Sequence, residues 1–550
     1  MAAPAYPVLM RDGRDPFTAP GKPPLLPADP RRVEADGLVS DYNVPIRLAD
    51  GVTIFADLHR PGGQATDLPT LLSWSPYGKH GRSNQVFRPH SGVEPEWLSP
   101  LTPFEGPDPV AWGAIGYAVL VVDPRGAWLS GGDFHHNGPQ EAADCADVIG
   151  WIADQPWSNG KVGMTGVSYL AAIQYLVAPL RPPALAAINP WEGFSDWYRE
   201  FAMHGGIAET GFLPRASDNI AFTLNRAEDT AGSVAAHPLI DGYWQSKAFD
   251  LEGIEVPAYV VASWSDHGLH SRGTIAAFER MRSAEKWLEV HGQKKWAHYY
   301  RPESQARRAA FFDHFLKVPP AAMPAWPRVR MEIRDRAGIA DERTAAAWPP
   351  PETEYRTFHL APGALAEAAG PPATVRYDAR DGRAVFDHVF TEETIVAGHA
   401  ALHLWAEAEG ADDMDLFVAL EKLDAAGTRI GQTFYAFFEN GPVALGWLRA
   451  SHRALAPGST AERPLHPHDR EEPLPAGRPV PLAIEIWPSA TRFAAGETLR
   501  LIVQGHDVEE EGLPNLPFAR HEHTRNAGTH ILHLGGGHDA RLLLPILPPG

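Results

Sequence analysis

The sequence predicts an α/β domain with a mainly parallel sheet over residues 39–348, followed by an all-β domain over 349–550. Two observations carry this. Apolar runs such as Thr70-Leu-Leu-Ser-Trp74, Ala118-Val-Leu-Val-Val122 and Ala258-Tyr-Val-Val-Ala262 alternate with helical patterns, as strands do when helices cover both faces of their sheet. Beyond Pro349, Pro350 and Pro351 the period changes to two, in Ala401-Leu-His-Leu-Trp405, Leu499-Arg-Leu-Ile-Val503 and Thr529-His-Ile-Leu-His-Leu534. Many short strands with Gly, Pro and Asp turns predict a sandwich or jelly roll. A chain of 550 residues also exceeds what one hydrophobic core serves, about 250–300 residues.

Taken in order, residues 1–38 carry Pro16, Pro20, Pro23, Pro24, Pro27 and Pro30 without periodicity, which predicts an extended or disordered arm. Residues 39–190 and 254–348 hold the strand–helix alternation. Between them, residues 191–253 are rich in aromatic and small residues, and an insertion there would lie over the carboxyl ends of the strands as a helical cap. Cys145, spaced with Ala142, Ile149 and Ile152, falls on the buried stripe of a helix and is expected as a core thiol.

Charge excludes some functions. With 48 basic and 68 acidic residues the net charge is −20, which repels phosphate backbones and anionic membranes. No stretch approaches 18 consecutive apolar residues, and Met1-Ala-Ala-Pro-Ala-Tyr-Pro7 has no basic or apolar leader, so the expected location is the cytoplasm. The expected partners therefore include neither nucleic acid nor a membrane. A homo-oligomer stays open.

The chemistry centres on Gly166-Val-Ser168-Tyr169-Leu170, which follows the strand-like Lys161-Val-Gly-Met-Thr165 and precedes a helical run. That is the context of a nucleophile elbow, with Leu170 where a second glycine often stands. An α/β-hydrolase then needs an acid and a base downstream, each at a strand end. Asp266 follows the strand over 256–264, and His291 directly follows Trp287-Leu-Glu-Val290. His291 would take the Ser168 proton and Asp266 would orient its ring; His298 and His267 compete for the role of base. A tetrahedral intermediate needs donors aimed at its oxyanion, and the Tyr169 backbone N–H and the Tyr77 hydroxyl are the candidates. Asp123 and Arg125 are expected to brace their loop as a bidentate pair.

No H-E-x-x-H, C-x-x-C or P-loop pattern is present, so neither a metal nor any other cofactor is expected.

These motifs resemble, in order, those of the CocE/NonD-type hydrolases, the group of bacterial cocaine esterase, glutaryl acylase, α-amino acid ester hydrolase and X-prolyl dipeptidyl peptidase. The similar segments are Ser75-Pro-Tyr77-Gly-Lys79, Asp123-Pro-Arg125-Gly126 through Gly132, Gln155-Pro-Trp157 through Gly163, Gly166-Val-Ser168-Tyr169-Leu170, Trp264-Ser-Asp266, Gly446-Trp447-Leu-Arg449 and Asn526-Ala-Gly528-Thr529. The resemblance implies an α/β-hydrolase domain with an inserted cap, and a C-terminal jelly roll of the galactose-binding-like kind. It also implies a Ser-Asp-His triad with Tyr77 as oxyanion donor. One departure is that the family's G-P-W-x-H base motif is missing, with His291-Gly-Gln-Lys-Lys-Trp296 in its place. Trp191, Phe194, Trp197 and Phe212 of the cap suggest an apolar acyl pocket. Relatives that act on α-amino acid esters place acids two and three positions after the catalytic acid, where this chain has Gly268 and Leu269. The expected ranking is therefore neutral acyl esters first, acyl amides second and X-Pro peptides third, unless Glu192, Asp196 or Glu200 of the cap supplies a partner for an ammonium. A ligand-binding protein with a degenerate hydrolase domain is the alternative of another class.

Overall fold

The computed structural model describes residues 6–18, 31–63, 66–79, 89–436, 438–508 and 519–548. The first sheet is built from β1 (Arg31–Ala35), β2 (Leu38–Arg47), β3 (Thr53–Pro61), β4 (Leu68–Trp74), β5 (Ala118–Asp123), β6 (Ser158–Val167), β7 (Leu185–Trp191), β8 (Ala258–Ser263), β9 (Lys286–His291), β10 (Val329–Arg336) and β11 (Ile339–Ala345). Its ladder runs β1-β2-β3-β5-β4-β6-β7-β8-β9-β10-β11. The pairs from β5 to β10 are parallel and those at either edge antiparallel. β4, β5 and β8 are buried along their whole length. Alternate residues serve opposite cores, Ala118, Leu120 and Val122 on one face and Val119 and Val121 on the other. Each valine or leucine among them contributes about 1.5–3 kcal/mol by leaving water.

The helices that matter for the site are α1 (Pro139–Ala153), α2 (Tyr169–Val177), α3 (Ser271–Arg280) and α4 (Pro302–Leu316). α1 starts with proline, whose missing N–H costs nothing in a first turn, and buries Cys145, Val148, Ile149 and Ile152 on one stripe. Residues 191–253 form short elements, among them a π-helical turn at Trp197–Ala202 and helices at Phe212–Ile220, Thr230–Ala236 and Gly242–Ser246. The N-terminal arm is not free of structure. Met10–Asp12 pairs with Arg226–Glu228 of this insertion, Tyr6 packs edge-on against His237 and Tyr243, and residues 31–38 already belong to the sheet. The arm's residues 1–5 and 19–30 lie outside the described ones.

The C-terminal strands are β12 (Glu354–Ala361), β13 (Ala364–Ala366), β14 (Ala373–Asp378), β15 (Arg383–Val389), β16 (Thr394–Glu409), β17 (Asp415–Leu423), β18 (Ala444–Arg449), β19 (Val480–Phe493), β20 (Thr498–Gln504), β21 (Thr529–Leu534) and β22 (Arg541–Leu547). Their ladders trace a closed circuit, β12-β22-β16-β19-β18-β17-β20-β15-β13 and back to β12, with β14 joined through β21 to β16. The sequence reading expects a jelly roll of two sheets; here bridges such as Gly446↔Ile486 and Ala364↔Asp387 join the ladders around one core.

The two sheets meet at β10. Arg334 is fully buried, and its Nη2 donates to the Val443 carbonyl at 2.8 Å and to Ser489 Oγ at 2.6 Å. The expected Asp123–Arg125 pair is absent. Arg125 instead grips Asp144 of α1 through Nε and Nη2, at 2.6 and 2.8 Å, while Asp123 accepts the Lys79 N–H at 2.9 Å. Asp144 lies one loop beyond β5, and its two oxygens match the guanidinium fork.

Among the described residues, no helix is long and apolar enough to cross a membrane, and no group of three His, Cys, Asp or Glu could hold a metal.

Candidate active site

β6 ends at Val167, and Ser168 turns the chain into α2 at φ 60° and ψ −111°. A non-glycine residue in this region stores about 1–3 kcal/mol, so the neighbours must hold it. They do so through its N–H, which donates to the Trp191 and Glu192 carbonyls, both at 3.1 Å. Gly166 makes the turn sterically possible, because a Cβ there would stand 2.4 Å from the Leu170 Cβ. That explains the leucine at the fifth position: its bulk fills the space a side chain at 166 would need.

After β8, residues 264–270 form a turn in which the His270 N–H donates to the Asp266 carbonyl at 3.1 Å, and α3 begins at Ser271. Gly268, at φ 90°, bends the loop so that the chain closes back on itself and brings the two side chains together. His270 Nδ1 thus lies 2.5 Å from Asp266 Oδ2, and His270 Nε2 lies 3.1 Å from Ser168 Oγ. Burial and then the nearby Lys295 ammonium hold the His270 ring below its ordinary range, with Asp266 opposing. Burial alone would raise the Asp266 carboxyl, but Lys295 and His270 outweigh it and hold the group below its usual range.

The histidine against Ser168 is therefore His270, where the sequence reading expects His291. His291 closes β9 as anticipated, but both of its ring nitrogens are engaged elsewhere. Nε2 lies 3.1 Å from Glu192 Oε1, Nδ1 accepts the Gln293 N–H at 3.2 Å, and the ring stacks on His298 at 3.7 Å between centroids. His298 in turn lies 2.8 Å from Glu289. His267, the other competitor, accepts the Leu445 N–H at Nδ1 and donates from Nε2 to the Pro488 carbonyl, both at 3.1 Å.

The Tyr77 hydroxyl lies close to Ser168, Glu105 and Tyr169, with the Tyr77 and Tyr169 rings 6.1 Å apart, and burial first and then the Glu105 carboxyl push its ionisation well up. The Tyr169 hydroxyl donates to Glu141. Of the two expected oxyanion donors, Tyr77 thus lies near Ser168 and Tyr169 follows it in the chain as the first residue of α2.

A family model described as X-Pro dipeptidyl-peptidase (S15 family) matches residues 50–231, and one described as X-Pro dipeptidyl-peptidase C-terminal non-catalytic domain matches residues 324–543. The crystal structure of a CocE/NonD family hydrolase from Staphylococcus aureus superposes with a TM-score of 0.91 and 36% identity, covering 95% of this chain and 97% of that one. This chain belongs to the CocE/NonD family of hydrolases. Cocaine esterase from Rhodococcus sp. (strain MB1 Bresler) is 29% identical over 378 residues, which are 58% of this chain and 62% of that protein, so the match spans less than two thirds of that relative. The structure of an α-amino acid ester hydrolase shares the fold at a TM-score of 0.70 and 18% identity, over 96% of this chain and 100% of that one.

In this CocE/NonD hydrolase the aromatic residues expected to line a pocket are mostly core. Trp191 is fully buried among His291, His298 and Tyr299, because β7 directs it to the opposite core from that of Phe194 and Trp197. Phe194 and Trp197 pack on each other and on Phe201. Phe212 alone is half-exposed, set between Phe201 and Tyr435.

The cap carboxylates are engaged as well. Glu192 meets His291, Asp196 pairs with Arg199 at 2.6 Å, and Glu200 accepts two backbone N–H groups and Arg272 Nη1 at 2.7 Å.

Two site residues escaped the sequence reading. His270 carries a signal only in its place, four residues after the strand-end Asp266 and directly ahead of a helix. Lys295, whose Nζ lies 2.8 Å from Asp266 Oδ2, sits in the ordinary run Gln293-Lys-Lys295 and carries none. The β domain braces the loop that holds Asp266 and His270: the Tyr435 N–H donates to the Ser265 carbonyl, and His267 bridges to Leu445 and Pro488.

Proposed function

We propose that this hydrolase cleaves acyl esters through an acyl-enzyme, with Ser168 as nucleophile, His270 as general base and Asp266 as the group that orients it. The observation that carries the proposal is the unbroken chain from Ser168 Oγ to His270 Nε2 and from His270 Nδ1 to Asp266. Ser168 attacks the acyl carbon while His270 Nε2 takes its proton; the proton then passes to the leaving alcohol as the tetrahedral intermediate collapses. Water repeats the sequence to release the acid. Asp266, ionised at 2.5 Å from Nδ1, fixes the tautomer with Nε2 free and stabilises the imidazolium as it forms. The Tyr77 hydroxyl and the Tyr169 N–H donate to the oxyanion, where two fixed donors have the most effect.

Among substrates, neutral acyl esters rank first, acyl amides second and X-Pro peptides third. A bound α-ammonium would need a carboxylate; Asp196 and Glu200 are already paired with arginines, and Glu192 has one oxygen on His291. Without a carboxylate partner, burying the ammonium would cost several kcal/mol. The test compares kcat/KM for phenylacetyl and phenylglycyl esters of one alcohol at a pH where the amine is protonated. The phenylacetyl ester is expected to be preferred; a tenfold preference for the amino substrate would overturn the ranking.

A further inference from the structure

Lys295 has no part in the steps just described, yet it stands at their centre. Its backbone N–H donates to the Ala436 carbonyl of the β domain at 2.9 Å, which anchors the first turn of the helix Lys295–Tyr300. Its side chain is 4% exposed, with Nζ 2.8 Å from Asp266 Oδ2 and 2.9 Å from His270 Nδ1. Glu192 after β7 and Glu105 ahead of the helix Pro109–Ala114 also face the ammonium, and Glu192 faces the His270 ring. From the other elements, Ser168 reaches the imidazole and Tyr77 reaches Ser168, while Tyr435 of the β domain and His267 of the same loop face Asp266.

Of the three buried carboxyl groups that act on this cation, Asp266 alone is in direct contact with it. Burial pushes the Glu105 and Glu192 carboxyls up, whereas the contact with the ammonium holds Asp266 down, so Asp266 is the principal counter-ion. A carboxylate this deeply buried and without a cation would take up a proton rather than stay charged. Protonated, Asp266 would no longer stabilise an imidazolium. The same ammonium, next to Nδ1, opposes a second positive charge on the ring until catalysis supplies the proton from Ser168.

We propose that Lys295 is a positioning residue whose ammonium keeps Asp266 ionised and His270 unprotonated between turnovers, extending the working form of the pair to lower pH. The inference rests on the reading of Ser168, His270 and Asp266 given above. Removing the charge frees the ring to take up a proton earlier, so the acid limb of the kcat/KM–pH profile moves to higher pH.

The experiment records kcat/KM against pH on a p-nitrophenyl ester for the wild type, Lys295→Met, Lys295→Gln and Lys295→Arg, with Ser168→Ala as control. Lys295→Met is expected to move the acid limb upward by about one pH unit or more, the size of effect a single adjacent charge exerts. Lys295→Arg, which keeps the charge, should hold the limb near the wild-type position. Lys295→Gln is read in place of Lys295→Met if the latter does not fold. A neutral variant that folds and keeps the wild-type limb overturns the proposal, as does an arginine variant that shifts as far as the neutral ones, since a merely structural lysine would lower stability or kcat without moving the profile. Activity surviving in Ser168→Ala would instead remove the serine mechanism itself, a failure distinguishable from that of Lys295.

Discussion

The ends of β8 and β9 are neighbours in one parallel sheet, paired from Ala258↔Lys286 to Ser263↔His291. Each presents a buried histidine to a carboxylate, yet only one of the two reaches Ser168. Past β8 the chain makes a tight turn through Gly268, so Asp266 meets His270 and His270 Nε2 extends to Ser168 at 3.1 Å. At β9 the histidine is the last strand residue, and it is held by Glu192 on one side and His298 on the other. A strand end fixes where a side chain begins. The backbone after it and the partners brought from other strands decide where the side chain goes.

The sharpest way to break this comparison is to remove each member separately. Ser168→Ala and His270→Ala should each lower kcat by about 10⁴-fold or more, while His291→Ala keeps most activity, as initial rates on a p-nitrophenyl ester will show. A dead His291 variant beside a His270 variant with a tenth of wild-type activity would reverse the assignment. Next in size, Tyr77→Phe should lower kcat about 10²–10³-fold with KM little changed, the mark of a donor that acts only in the transition state. A loss in KM alone would make Tyr77 a packing residue.

The two histidines should also separate in stability. His291→Ala strands the Glu192 carboxyl oxygen it contacts and should lower the unfolding free energy by about 1–3 kcal/mol in a denaturant titration. His270→Ala leaves Asp266 paired with Lys295 and should cost less. The smallest effect concerns acid. Burial pushes His291 down to about 4, below the value it has in the unfolded chain, about 6.5. The unfolded state then binds more protons between those values, so the stability His291 contributes is present above about 6.5 and is lost as pH falls toward 4. His291→Gln removes that proton uptake, so its unfolding free energy should fall less steeply than the wild type's across this window. Equal slopes would mean that His291 is already protonated in the folded state. Activity should follow the other histidine, with kcat/KM rising with pH through an ionisation below about 6.5 in both the wild type and His291→Gln, because the His270 ring is held below its ordinary range.

Much of the frame was legible from local pattern. Apolar runs of strand length marked β4, β5 and β8 because both faces of a parallel sheet are dry, and Gly166-Val-Ser168 between a strand and a helix marked the elbow because that turn needs a residue without a Cβ close to Leu170. Asp266 followed from its place at a strand end, whereas Tyr77, a candidate by its place after β4, rested on the resemblance of Ser75-Pro-Tyr77-Gly-Lys79 to the family's segment. The tertiary structure alone decided which histidine meets Ser168, that Trp191, Phe194 and Trp197 fill cores, that Arg125 grips Asp144, and that Lys295 lies against Asp266 and His270. The reason is range. Strand and helix periods are written in neighbouring residues, whereas the fate of His291 depends on Glu192 at the end of β7, and the loop carrying Asp266 and His270 is pinned by Tyr435, Leu445 and Pro488 from a domain that begins far along the chain.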